Sequence, residues 1–161
     1  MIRIQIIHAE LETQLLQKVL DEAPSYHLNV SGAFASPRAA EETLHALPEG
    51  MSYDDKYVLG IYWNDLFIGC ADILRGYPNQ STAMIGLLLL SESYQGKRLK
   101  KIAYQQIEDF IFTWQEITTL RISIMKSNDS VTSFWSKMGF QNSGIRKKIE
   151  RNGILDECMI F

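Results

Sequence analysis

One stretch of this chain, from Leu87 to Lys101, reads LLLLSESYQGKRLKK and decides the fold. An apolar strand runs through a short polar loop straight into a basic amphipathic helix. Backbone N–H groups in the first turn of a helix lack intrahelical partners and lie at the positive end of the helix dipole, so this order predicts a phosphate-binding turn. Additional positive charge at the same helix end comes from Lys97, Arg98, Lys100 and Lys101. The alternative is a solvated cationic helix face with no ligand.

Length and composition predict a single domain over residues 1–161. The chain is 46% hydrophobic, which is enough for a sizeable core without disulfides or metal. A formal net charge of −3 argues against nucleic acid or an anionic membrane as the partner. The basic residues near position 98 are therefore a local feature that suits a small anionic ligand.

Cysteine content and hydropathy predict a cytoplasmic protein. Cys70 and Cys158 both lie in apolar runs, which favours two buried thiols in a reducing compartment over a disulfide. The apolar run at the start of the chain is too short for a signal peptide, and no stretch approaches the ~20 apolar residues of a membrane helix. His8, His27 and His45 lack the spacing of metal ligands, so no metal is expected.

The residue patterns predict the element order β-α-α-β-β-β-α-β-α-β-β. Alternation predicts a strand at residues 2–6, and leucine spacing predicts a helix that Pro24 ends. Ser36-Pro37 is expected to begin a second helix that runs to about Leu47, with residues 25–32 as a loop between the two helices. Further strands are predicted at residues 57–63, 66–74, 82–90, 120–125, 145–149 and 154–161, with tight turns at Asn64-Asp65 and Asn152-Gly153.

Two helices complete the predicted fold. One follows residue 98 with an apolar stripe that begins at Leu99, and the other begins at Asn128 as N-cap and ends at Gly139. The fold class is α+β within the broad α/β group, with a mixed, mostly antiparallel sheet and helices on both faces.

Two motifs on these elements resemble those of the GCN5-related N-acetyltransferases, the GNAT family, and the resemblance covers essentially the full chain. The family's phosphate-loop pattern is Gln or Arg, two residues, Gly, one residue, then Gly or Ala, and it falls on residues 95–100. A second motif, an Asn followed by an aromatic pair and Gly-Phe, falls on Asn128, Phe134-Trp135 and Gly139-Phe140. The two motifs together, at this distance, are fairly specific, whereas either alone would be weak.

The resemblance implies that strand 82–90 splays away from strand 120–125 and that acetyl-coenzyme A lies in the cleft. Main chain at Leu88 and Leu90 is then expected to pair with the pantetheine arm, and Trp135 is expected to pack beside that arm. Asn128 is expected either to hydrogen-bond the arm or to help order the second motif. The pyrophosphate is expected to be held by the backbone amides of the phosphate loop, which are those of Gln95, Gly96, Lys97, Arg98, Leu99 and Lys100. The implied reaction is direct attack of a small-molecule or peptide amine on the thioester, with the Leu90 N–H stabilising the oxyanion.

Three residues depart from the family pattern. Arg98 and Lys100 stand where the family has Gly and then Gly or Ala, so their side chains either clamp the phosphates or crowd the loop. Trp135 stands where many members have a Tyr that protonates the leaving thiolate, and an indole N–H is no such acid. The alternative function is therefore a non-catalytic acyl-coenzyme A-binding or regulatory protein.

Candidates for the remaining roles follow from single residues. Asp72 interrupts an apolar strand, so it is expected either to face the cleft and help deprotonate the amine or to pair with Arg75. Tyr94 is a candidate substitute acid, together with Tyr26 and Tyr104, and Tyr104 is expected on the helix surface. Tyr26 and His27, in the predicted loop, are candidates for the acceptor pocket, with surface loop residues as the alternative. The acceptor's identity, and whether the protein is a monomer or a homodimer, stay open.

Overall fold

Seven strands form one mixed sheet in the order β1-β2-β3-β4-β5-β7-β6. The computed structural model describes residues 1–8, 10–151 and 154–161, and their side chains except those of 127, 129, 147–151 and 154–159. The strands are β1 (Ile2–Ile6), β2 (Lys56–Trp63), β3 (Leu66–Arg75), β4 (Thr82–Leu90), β5 (Thr119–Met125), β6 (Ile145–Arg151) and β7 (Ile154–Ile160). Only β4 and β5 pair in parallel among the described strands. The predicted mixed, mostly antiparallel sheet is confirmed.

Five α-helices in the described residues accompany the sheet. They are α1 (Glu10–Asp21), α2 (Pro24–Ser31), α3 (Ala39–His45), α4 (Leu99–Ile111) and α5 (Thr132–Lys137). Helices α1 and α3 share a buried cluster with Val58 and Cys70, whereas α4 packs in a separate cluster with Leu59 and Ile73. Because neighbouring residues of one strand enter different clusters, both faces of the central sheet are covered, which explains the nearly continuous apolar runs of β2, β3 and β4. No helix in the described part of the chain has the length and apolarity needed to cross a bilayer.

Glycine at position 69 permits the close approach of β3 and β4. A Cβ atom at Gly69 would lie 2.5 Å from the carbonyl oxygen of Leu89 and 2.5 Å from a methyl carbon of Leu90. Real Cβ atoms do not approach backbone oxygen this closely, so any other residue would push β4 away from β3. This contact fixes the position of the strand end that leads into the turn before α4.

Three predictions of local structure are wrong. Residues 25–32, predicted as a loop, form most of α2, because Pro24 is the first residue of that helix and Gly32, in the left-handed conformation, ends it. The next helix begins at Ala39, since Ser36 and Pro37 lie in the turn before it. Asn128 is not an N-cap, because it lies inside a 3-10 segment and α5 begins four residues later.

The remaining predictions of local structure concern the hairpin and the cysteines. Strands β6 and β7 pair as predicted, although the Asn152-Gly153 turn lies outside the described residues. Cys70 is a buried free thiol. The side chain of Cys158 lies outside the described residues.

Candidate active site

A cleft opens where β4 and β5 part. The two strands pair only from Thr82 to Ile85 of β4, and beyond Ile122 strand β5 pairs with β7 instead. The second half of β4 therefore keeps its partner β3 on one edge while its other edge faces a cavity of about 340 Å³. A cavity of this size is within the range of small-ligand sites. The predicted splay is present.

The cleft has walls from several elements. Residues 85–90 of β4 and 122–125 of β5 form two sides, and Gln95, Gly96 and Lys100 lie at the turn that follows β4. Tyr26 and Asn29 of α2 lie on another wall. The remaining described lining residues are Ser25, Val30, Asn128, Ser130, Val131 and Trp135. Of the predicted site residues, Leu88, Leu90, Gln95, Gly96, Lys100, Asn128, Trp135 and Tyr26 come together here.

The turn between β4 and α4 is held in place by the side chain of Gln95. Its Nε2 donates a hydrogen bond of 2.8 Å to the Leu90 carbonyl oxygen at the end of β4. Gly96 and Arg98 both have positive φ, 77° and 62°, and α4 begins at Leu99. An L-residue in the left-handed conformation costs roughly 1–2 kcal/mol, so the backbone itself explains why glycine suits position 98. The bend brings the first turn of α4 to the cleft, where Gly96 and Lys100 line it.

The cations of this turn have different environments. Lys97 and Arg98 are exposed, and the Lys97 Nζ lies 5.8 Å from the centroid of the Tyr94 ring. The Leu99 side chain belongs to the core, which leaves its main chain as the only part available to a ligand. Lys100 turns into the cleft, with Nζ 4.5 Å from the Phe134 ring centroid and 5.7 Å from that of Trp135. Burial lowers the pKa of the Lys100 ammonium from 10.5 to about 8.

Trp135 is buried and lies in a group of aromatic rings. Its ring centroid lies 5.6 Å from Tyr104, 5.0 Å from Phe134 and 5.2 Å from Phe140, each in an edge-to-face arrangement. Tyr104, expected on the helix surface, is only 3% exposed, and burial raises the pKa of its hydroxyl. The packing fixes α5 against α4, and Trp135 also lines the cleft.

Asp72 does not line the cleft, so the expectation that it faces the acetyl-transfer site is corrected. Both of its carboxylate oxygens accept hydrogen bonds from the Lys56 ammonium, at 3.0 and 2.9 Å. The Lys56 side chain is 3% exposed and that of Asp72 is 17% exposed. Burial raises the pKa of Asp72, whereas Lys56 lowers it. The alternative partner is also wrong, because Arg75 pairs with Glu116.

Like Lys97, Arg98 and Leu99, the predicted site residues Tyr94 and His27 lie outside the described cleft lining. Tyr94 packs edge-on against Trp63, with centroids 5.9 Å apart. His27 packs against Tyr26, and burial lowers the pKa of its imidazole. Both residues therefore support the walls instead of facing the cavity.

Glu92 ties helix α2 to the segment that follows β4, and no pattern in the sequence predicted this contact. Its carboxylate accepts a 2.7 Å hydrogen bond from the Ser25 N–H, and its own N–H donates to the Glu22 carbonyl oxygen. The bond from Ser25 lowers the pKa of Glu92. Pro24 could have indicated this contact. A proline is common at the first position of a helix, and the free backbone N–H groups of a helix start attract a carboxylate.

Comparison with known proteins identifies relatives of the whole fold. Residues 26–140 match the model of the acetyltransferase (GNAT) family. An acetyltransferase from Thermus thermophilus is 18% identical, with a TM-score of 0.71 over 99% of this chain and 96% of that one. The aminoglycoside acetyltransferase AAC(6')-Ib in complex with coenzyme A is 17% identical, with a TM-score of 0.73 over 100% and 94%. The ribosomal-protein-S18-alanine N-acetyltransferase of Escherichia coli is 12% identical, with a TM-score of 0.67 over 99% and 91%. No curated protein sequence matches the chain.

Proposed function

The chain belongs to the GNAT acetyltransferase family, and we propose that it transfers an acetyl group from acetyl-coenzyme A to the amine of a small molecule or peptide. One observation carries the proposal: β4 leaves β5 after Ile85, and the cleft so formed ends at the first turn of α4. A cleft with an unpaired strand edge along it and the first turn of a helix at its end suits a long ligand with an anionic group. The single seven-stranded sheet also supports one domain over residues 1–161.

The donor is proposed to lie along the free edge of β4. A strand edge offers N–H and C=O groups that an amide-containing arm can pair with, so Leu88 and Leu90 are proposed to hold the pantetheine. The amides of residues 95–100 are proposed to hold the pyrophosphate. The Gln95 hydrogen bond to Leu90 keeps this turn in one conformation before the donor arrives, which lowers the entropy lost on binding. The Arg98 guanidinium and Lys97 ammonium, both exposed, are proposed to pair with phosphate oxygens.

The acceptor is proposed to enter beside α2. Tyr26 and Asn29 on that helix lie across the cleft from β4 and supply polar groups. A neutral amine then attacks the thioester carbonyl directly, and the Leu90 N–H stabilises the oxyanion. Structural neighbours include an aminoglycoside acetyltransferase and a ribosomal-protein acetyltransferase, which supports an amine as the acceptor class.

A second candidate function is binding of an acyl-coenzyme A without turnover. Two observations favour it: the Lys100 side chain occupies part of the cleft, and Trp135 offers no acidic proton. The two functions differ in one observable, the appearance of an acetylated product.

The test is a pair of measurements on the purified protein. Calorimetry with acetyl-coenzyme A is expected to show binding, and mass spectrometry of a panel of amines is expected to reveal an acetylated product. Gln95→Ala removes the bond to Leu90 and should weaken binding about fivefold, equivalent to about 1 kcal/mol. Gln105→Ala, a change at an exposed position of α4, is the matched control and should bind normally.

Each outcome separates the candidates. Absence of binding would refute both functions, because both require the donor site. Binding with no product from any amine would favour the non-catalytic function. Equal binding by the wild type and Gln95→Ala would show that the turn after β4 is not where the donor is held.

A further inference from the structure

Helix α2 bridges the two strands whose parting opens the cleft. Its first turn is tied to the segment after β4, because the Ser25 N–H donates a 2.7 Å hydrogen bond to the Glu92 carboxylate. Near its other end, Val30 packs against Met125 of β5 and Ile160 of β7. None of the eight residues of α2, all of which the structure describes, is buried. A short helix without a buried face gains little stability from the core, so its position depends on contacts such as these.

The segment that holds α2 is itself fixed to the sheet. Glu92 begins a 3-10 turn just after the end of β4. In that turn the Tyr94 N–H donates a 2.9 Å hydrogen bond to the Ser91 carbonyl oxygen, and the Ser91 N–H donates to the Ile68 carbonyl oxygen of β3 at 2.9 Å. The Glu92 N–H donates to the carbonyl oxygen of Glu22, in the turn before α2. The backbone of Glu92 is therefore a fixed point from which its carboxylate can hold the first turn of α2.

This hydrogen bond bears on the polar wall of the cleft. Ser25, Tyr26 and Asn29 share helix α2 and all line the cleft, which Leu90 lines as well. A helix moves largely as a unit, so a shift of its first turn also moves Tyr26 and Asn29 relative to Leu90. An acceptor held by these side chains would lose part of its contacts. The turn before α4 would keep its own hydrogen bond, from Gln95 to Leu90, so the donor site would be little affected.

We propose, on the basis of the acetyl-transfer function proposed above, that Glu92 is a positioning residue that holds the acceptor wall α2 at its working distance from the end of β4. Glu92 is not among the described residues that line the cleft, so its effect on the acceptor passes through Ser25. Hydrogen bonds from the hydroxyl and the N–H of Ser25 lower the pKa of Glu92. The carboxylate is consequently charged at neutral pH and accepts both bonds.

The test separates binding of the amine from binding of the donor. Spermidine, tyramine and alanylphenylalanine serve as amine probes, and calorimetry measures the Kd of acetyl-coenzyme A. Glu92→Ala should raise the KM of the acetylated amine about fivefold, because α2 loses a charge-assisted hydrogen bond, while kcat and the donor Kd stay within about twofold. Hydrogen exchange followed by mass spectrometry should show faster exchange of the α2 amides in this variant.

Three further variants separate reach from charge. Glu92→Gln keeps an oxygen that can accept from the Ser25 N–H, so it should bring the amine KM back to within about twofold of the wild type. Glu92→Asp keeps the charge on a side chain one methylene shorter, so it should resemble Glu92→Ala. Glu49→Ala, at an exposed glutamate outside the described cleft lining, is the matched control and should retain the wild-type KM.

Four results would overturn the role of Glu92. A wild-type amine KM in Glu92→Ala would show that α2 does not need this hydrogen bond. A loss of kcat in Glu92→Gln as large as in Glu92→Ala would mean that the carboxylate acts on the reacting amine. A wild-type KM in Glu92→Asp would show that charge alone matters, and a donor Kd weakened as much as the amine KM would assign Glu92 to the donor site. Failure of the proposed function gives a different result, since the wild type would acetylate none of the three amines, and the role of Glu92 would then fail with it.

Discussion

Replacement of Lys100 by methionine is expected to stabilise the folded protein. The fold lowers the pKa of this ammonium from 10.5 to about 8, so at neutral pH it holds a charge that its surroundings disfavour. Each pKa unit corresponds to about 1.4 kcal/mol, which makes the penalty about 3 kcal/mol. Attraction to the Phe134 and Trp135 rings offsets about 1–2 kcal/mol of it. Lys100→Met should therefore raise the free energy of unfolding by about 1–2 kcal/mol at pH 7.

The stability difference between the wild type and Lys100→Met should depend on pH, in a direction set by the lowered pKa of Lys100. Between pH 8 and 10.5 the unfolded chain still binds the Lys100 proton, whereas the folded protein has released it. Wild-type stability should consequently gain from this group as pH rises through that window, and the gain is absent in Lys100→Met. Urea unfolding followed by tryptophan fluorescence at pH 7 and at pH 9.5 measures both effects. The advantage of the variant should be largest at pH 7 and smaller at pH 9.5.

Lys137→Met is the control for the loss of a lysine as such, because that side chain is exposed. Its effect should stay within about 0.5 kcal/mol at both pH values. A Lys100→Met variant that is no more stable than the wild type at pH 7 would refute the reasoning. So would an advantage that is the same at both pH values, since packing differences do not titrate.

Three further substitutions test other parts of the structure. Arg98→Gly removes the cost of a left-handed conformation at a non-glycine residue, so urea unfolding should show a free energy of unfolding about 1 kcal/mol higher. Calorimetry should show weaker acetyl-coenzyme A binding, and tighter binding would mean that the guanidinium crowds the turn. Lys56→Met leaves the Asp72 carboxylate buried without its ammonium partner, so it should lower the free energy of unfolding by about 3–5 kcal/mol at pH 7 and by less at acidic pH, where the carboxyl is protonated. Lys18→Met, at an exposed ion pair, is the control and should change the free energy of unfolding little. Trp135→Ala removes the ring that contacts Tyr104 and Phe140, so it should lower the free energy of unfolding by about 3–5 kcal/mol. A loss below about 1 kcal/mol in thermal or urea unfolding would contradict the packing described above.

The strand-turn-helix unit at residues 82–111 and the splayed strands were predictable because their signals are local. A nine-residue apolar run followed by a polar loop and a basic helix start fixes the order strand, turn, helix without reference to distant residues. The two motifs then placed Gln95 and Trp135 at the cleft, where the structure also has them. The hydrogen bond from Gln95 to Leu90 spans only five residues, so it belongs to the same local unit.

The surroundings of Asp72 were not predictable, because they depend on strand register. The sequence showed a carboxylate in an apolar run and offered the nearby Arg75 or the cleft as explanations. Its actual partner, Lys56, lies on β2, and only the antiparallel register that places Asp72 opposite Val58 brings the two side chains together. Helix α2 was missed for a different reason, since Pro24 served as the end of one helix and also begins the next.

The three residues that depart from the family pattern, Arg98, Lys100 and Trp135, lie close together in the structure. Arg98 adopts a strained backbone conformation, and two residues later Lys100 holds an unpaired charge against the ring of Trp135. Both features lower stability and neither contributes to the core, and such features persist at functional sites because they serve binding or chemistry. A chain that had lost its phosphate site would be stabilised by glycine at position 98 and an apolar side chain at position 100. The presence of both cations at a cleft with an open strand edge therefore supports the anionic-ligand site proposed above.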